Sequence, residues 1–146
     1  MTPDVAWNKR ESIERCWRRI QEEYAHDPAN LHNYTKQDAI VLNIQRMCET
    51  AIDLAAHTIA VYGWGIPQNS RDMFAILCQQ GVIDSRLEKA LKAMVGFRNI
   101  AVHEYQRMNL RILQNIIEKD LEDVRFFAQV IVKLLDNSID NLIENK

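Results

Sequence analysis

Apolar residues along this chain recur at intervals of three and four rather than two, the spacing that gathers them on one side of an α-helix. The first stripe is Ile13, Cys16, Trp17, Ile20 and Tyr24, which predicts a helix ending before a loop at 26–33 that contains Pro28. A second, longer run puts Ile40, Ile44, Met47, Ala51, Leu54 and Ala55 on one face, with Thr35 placed to cap its start and Gly63 to end it. The stretch from Gly63 through Trp64, Gly65 and Ile66 to Pro67 is the clearest interruption. After it, Asn69 or Ser70 can cap a short helix carrying Met73, Phe74 and Leu77, and Gly81 suits its stop. Asp84 caps another, in which Leu87, Leu91, Met94 and Val95 line up before Gly96. Asn109 opens the last helical region, where Leu110, Leu113, Ile117, Val124, Phe127, Ile131 and Leu134 fall three, four or seven apart and Asp120 marks a kink or a new cap.

Four glycines and three prolines leave few helix breakers, and no repeat or long linker divides the chain. The expectation is an all-α bundle of about five helices forming a single domain over residues 1–146. With 47% hydrophobic residues it can build a core without disulfides or metals. The three cysteines, Cys16, Cys48 and Cys78, are odd in number and lack the paired spacing of zinc or redox motifs, so they read as reduced thiols. No leader opens the chain, and no apolar run approaches the roughly 20 residues of a membrane helix. A cytoplasmic protein is expected, with no membrane partner. Charge narrows the reading further: 18 basic and 20 acidic residues leave a formal charge of -2. The molecule as a whole does not attract nucleic acid, so an RNA-directed role requires a local cluster of Arg and Lys.

Chemistry concentrates in the stretch Gly96, Phe97, Arg98, Asn99, Ile100, Ala101, Val102, His103, Glu104 and Tyr105. On an uninterrupted helix, at about 100° per residue, Arg98 and His103 point some 140° apart while Asn99 and His103 share a face. Either the chain turns near this segment, or Arg98 of one subunit meets His103 of another across a two-fold axis. Such a pair suits RNA cleavage by the neighbouring 2′-hydroxyl, which needs proton transfer and a stabilised pentacoordinate phosphate but no metal. Histidine titrates near neutrality, and guanidinium presents a fork of donors to phosphate oxygens. Asn99 can orient the phosphate or the imidazole. The ordinary reading of the same residues is a boundary histidine and a helix-end arginine. Elsewhere, Glu49, Asp53 and His57 repeat every four residues along the second helix: either a solvated, ion-paired face or a seam whose Asp53 and His57 line the cleft of Arg98 and His103. Four histidines without a second ligand at metal spacing predict no metal site. Trp7, Trp17 and Trp64 read as packing residues before base-stacking platforms.

Arg98, four residues, His103, one residue and Tyr105 match the R-X4-H-X-Y motif, and here the chain resembles the HepT toxins of the HEPN superfamily. The path from Gly63 to Pro67, then Phe74, Leu77, Gly81, Val82 and Ile83, and finally Met94 to Tyr105 follows that family's order over about half the chain. The outer helices agree only in pattern. The resemblance implies an α-helical homodimer with a composite site between subunits, ribonuclease toxicity toward tRNA or mRNA, and an antitoxin partner, the minimal nucleotidyltransferase MntA. It implies further that Arg98 and His103 are the catalytic pair, Asn99 a supporting residue and Tyr105 the target of AMPylation, with no cofactor. The alternative from another class is a non-catalytic helical module that binds a nucleotide or a partner surface through the same polar cleft.

Overall fold

The computed structural model describes residues 3–103 and 109–144, in which the apolar stripes become six α-helices. They are α1 (Pro3–Tyr24), α2 (Tyr34–Tyr62), α3 (Ser70–Gln79), α4 (Ser85–His103), α5 (Leu110–Asn115) and α6 (Leu121–Glu144). The described residues include no strand. α1 packs along α2 and α6, α3 packs on α4 and α2, and α4 also reaches both α2 and α6. One hydrophobic core runs through them all, with Ile20, Ile44, Phe74, Leu91 and Phe127 among its members. No helix of the described residues is long and apolar enough to cross a membrane.

The helix starts follow from side chains that accept the orphan N–H groups of a first turn. Asn69 receives the N–H of Asp72 at 2.8 Å, Asp84 that of Leu87 at 2.8 Å, and Asn109 that of Arg111 at 2.8 Å. The second helix departs from expectation. Its cap is Asn33, which accepts from the Lys36 N–H at 3.1 Å, and Thr35 already lies inside the first turn. Asn33 also closes a single 3-10 turn, Pro28–His32, within the segment read as a loop. Gly63 ends α2 at φ 66°, and Gly81, just past α3, lies at φ 76°. Only glycine holds such angles without steric cost.

Two further differences bear on the site. Gly96 does not end α4, which continues unbroken to His103. The discontinuity foreseen at Asp120 is a π turn spanning Ile116–Asp120, in which the Leu121 N–H bonds to the carbonyl of Ile116 five residues back. Ile116 and Leu121 are both buried, although five residues of α-helix would set them about 140° apart; the wide turn brings both to the core. From α1, the Tyr24 hydroxyl hydrogen-bonds to Glu118 in this turn, and burial, with that contact added, pushes the Tyr24 phenol up to about 12. Arg125 of α6 lies 3.7 Å from the centre of the Trp17 ring while its fork grips Glu14 of α1 at 3.0 and 2.9 Å. Trp17 is thus a packing residue, as is Trp64, whose ring stacks on Tyr62 at 4.6 Å.

Phe127 is fully buried and meets Phe74 edge to face with ring centres 5.5 Å apart, joining α6 to α3. Truncating it leaves a cavity that a close-packed core cannot fill, so Phe127→Ala is expected to cost about 3–5 kcal/mol. Urea unfolding checks this: the midpoint should fall with the slope unchanged, and a loss below about 1 kcal/mol would mean that the α3–α6 contact adds little.

Candidate functional site

The polar stretch of α4 meets α2 at one point. Arg98, with about a fifth of its side chain exposed, donates from Nη1 to Glu49 Oε1 at 2.9 Å and from Nε to the Asn99 amide oxygen at 3.0 Å. Two of its three nitrogens are therefore held. Nη2 has no partner among the described residues. A guanidinium held at Nε and Nη1 is pre-oriented: an anion that reaches Nη2 does not have to order the side chain. Below this pair lies Cys48, which burial pushes up to about 12, so its thiol stays neutral.

Arg98 opens onto a concavity of about 440 Å³ lined by Asn69, Ser70, Arg71, Val95, Arg98 and Asn99. Val95, Arg98 and Asn99 stand at i, i+3 and i+4 of α4 and make one wall. The other comes from the start of α3, where Asn69 caps the helix and Arg71 follows within the first turn. Gly96 explains how the walls approach. Glycine inside a helix costs about 1 kcal/mol against alanine, and a Cβ on residue 96 would stand only 3.0 Å from Arg71 Nη2. The bare backbone of α4 is the surface on which that guanidinium lies. Two arginines thus face one hollow, the local basic cluster that a chain of net charge -2 requires for phosphate.

The expected site residues fall as follows. Arg98 and Asn99 are joined, and His103 is the last residue of the same helix, with no turn between them. Of the seam on α2, Glu49 is the member tied to Arg98; Asp53 faces α1, 3.6 Å from Lys9 Nζ, and His57 is exposed two turns beyond Glu49. Tyr105 lies outside the described residues. Arg71 and the Glu49–Arg98 pair escaped the sequence reading. The signal for Arg71 was there in an unexplained glycine, mid-helix, two residues before the arginine of the motif. Among the described residues, no group of three His, Cys, Asp or Glu side chains is placed to hold a metal ion.

Comparison with known proteins adds identity to this geometry. The mRNA nuclease HepT of Shewanella oneidensis is 44% identical over 128 residues, 88% of this chain and 96% of that protein. A solved structure of the tri-AMPylated Shewanella oneidensis HEPN toxin in complex with MNT antitoxin superposes with a TM-score of 0.83 at 45% identity, covering 88% of this chain and 96% of that one. A toxin-antitoxin crystal structure with AMP-PNP gives the same TM-score at 44% identity, over 88% of this chain and 97% of the other. The model of the family described as ribonuclease HepT-like matches residues 10–131, and that span takes in α2, α3, α4, the Glu49–Arg98 pair and the arginine-lined hollow, so the chain belongs to this family.

Proposed function

We propose that this chain is the toxin of a toxin-antitoxin pair, a single-domain cytoplasmic endoribonuclease that cuts tRNA or mRNA without a metal. The observation that carries the reading is the Arg98 guanidinium, held by Glu49 and Asn99 and lining an open, basic hollow, on the helix that ends at His103. In this mechanism the ribose 2′-hydroxyl attacks the adjacent phosphorus and the 5′-oxygen leaves. His103 moves the proton and Arg98 neutralises the charge that gathers on the non-bridging oxygens. Asn99 keeps the guanidinium in register. Asp53 and His57 stand one and two turns beyond Glu49 on the exposed face of α2, with Asp53 turned toward Lys9 of α1.

Because α4 is straight from Arg98 to His103, the two positions stand about 140° apart around its axis and about 7.5 Å along it. A homodimer resolves this, with Arg98 of one subunit facing His103 of the other across a two-fold axis. Apolar side chains left half-exposed, among them Ile100, Leu42 and Phe126, supply surface for such a contact. The partner protein is an MntA-type nucleotidyltransferase that neutralises the toxin by transferring AMP to Tyr105. This follows the relatives, one of which is a tri-AMPylated HEPN toxin bound to its antitoxin.

Single-stranded RNA incubated with the purified protein in excess chelator tests the chemistry. Cleavage is expected to persist and to leave 2′,3′-cyclic phosphate or 3′-phosphate ends. Products with 5′-phosphates, formed only when a divalent ion is supplied, would remove the 2′-hydroxyl mechanism.

A further inference from the structure

We infer that Arg71 is a second phosphate-binding residue, holding the phosphodiester next to the one being cut and so fixing the RNA strand across α4. The inference rests on the ribonuclease reading above and assigns a residue outside the R-X4-H-X-Y motif.

Three observations carry it. The first is position: Arg71 and Arg98 line one open hollow, with Asn99 between them on its α4 wall. The second is availability. Arg71 is exposed, and no carboxylate among the described residues pairs with it, whereas Arg98 is half engaged by Glu49. An arginine with no internal anion, lining the same hollow as one whose Nη2 is unpaired, is disposed to bind an anion from outside. The third is the register of α4. Taking Val95 as zero, Asn99 falls at about 40°, Gly96 at about 100° and Arg98 at about -60° around the axis. Arg71 lies against Gly96, so the two guanidiniums enter the hollow from opposite flanks of one helical face. Position 103 falls at about 80°, within about 20° of Gly96. Arg71 therefore occupies the flank that carries the register of His103, and Arg98 the opposite one.

An extended strand presents phosphates at regular intervals, and two guanidiniums on either side of one helix can hold two of them at once. Arg98 keeps the reacting phosphate. Arg71 contributes binding shared by ground and transition states, an effect that appears mainly in KM. Nothing in this role needs a particular base, so the contact is indifferent to sequence.

The test uses the full-length protein with Arg71→Ala and Arg71→Lys, single-stranded RNA as substrate, and a 2′-O-methyl oligonucleotide of the same sequence as the uncleavable probe. Arg71→Ala is expected to raise KM and the probe Kd about tenfold, to change kcat less than KM, and to lower the slope of log binding against log salt by about 0.7, the value for one phosphate contact on a single strand. Arg71→Lys should restore most of the salt slope, because the charge remains, and only part of the affinity, because the fork is lost. Thermal melting confirms that both variants fold; Arg71 is exposed, so only a small shift is expected from the lost contact with Gly96. Wild-type cleavage with unaltered probe binding and salt slope in Arg71→Ala would overturn the assignment and leave the ribonuclease reading standing. Loss of kcat at unchanged Kd would also overturn it. A wild-type protein that cleaves no RNA would sink the ribonuclease reading instead, and the salt slope of probe binding would still judge Arg71.

Discussion

Neither Arg98→Ala nor His103→Ala should cleave RNA at more than about one part in 10² to 10⁴ of the wild-type rate, yet dimers that carry one copy of each should recover about half of it. The single losses are those of a phosphate clamp and of a general acid–base group. Recovery follows from symmetry. If each site takes Arg98 from one subunit and His103 from the other, a mixed dimer has one site lacking both groups and one site intact. Co-expression under two tags, with purification through both, isolates that species. Stability should hardly change in Arg98→Ala, because the ion pair it removes is partly exposed and such pairs contribute about 0–1 kcal/mol. Mixed dimers as inactive as the single variants, or a wild-type protein fully active as a monomer, would return both residues to one subunit.

Tyr105→Phe should abolish neutralisation. Co-expressed with an MntA-type nucleotidyltransferase, the wild-type chain is expected to gain mass in whole AMP units and to lose its toxicity, while Tyr105→Phe gains none and stays toxic. The reaction needs the phenol oxygen, which phenylalanine lacks. Its consequence is electrostatic as well as steric: each AMP brings a phosphodiester two residues from His103, where it competes with RNA for the guanidiniums of the hollow. Intact mass and growth decide together. A full set of AMP units on Tyr105→Phe would place the modification elsewhere.

The stripes at three and four residues gave α1, α2, α3 and α6 in the right places because helices of this kind are defined by what they bury, and burial is written in residue type. Boundaries were legible where a cap and a glycine agreed, as at Asn69, Asp84 and Gly63. Thr35 misled because Asn33, two residues earlier, also carries a capping oxygen, and the choice depends on how the Pro28–His32 turn delivers the chain. Gly96 read as a stop for a related reason: local propensity penalises it, and the compensating neighbour, Arg71, is remote in sequence. The motif made Arg98, Asn99 and His103 visible at once. Glu49 is 49 residues from Arg98, and nothing local announces which member of the Glu49, Asp53 and His57 seam will reach it; that depends on how α2 and α4 pack.

The π turn at Ile116–Asp120 makes chain length locally expendable. A single π turn is an α-helix that has absorbed one residue while the segments on either side keep their faces. A related chain one residue shorter at this point can close the wide turn into an ordinary one, with Leu113 and Val124 still facing inward as they do here. The same deletion a turn earlier or later, where no slack exists, rotates one part of the helix by about 100° against the other and lifts a row of core side chains toward water. Tolerance of a missing residue is thus confined to the segment where Glu118 is tethered to Tyr24 of α1.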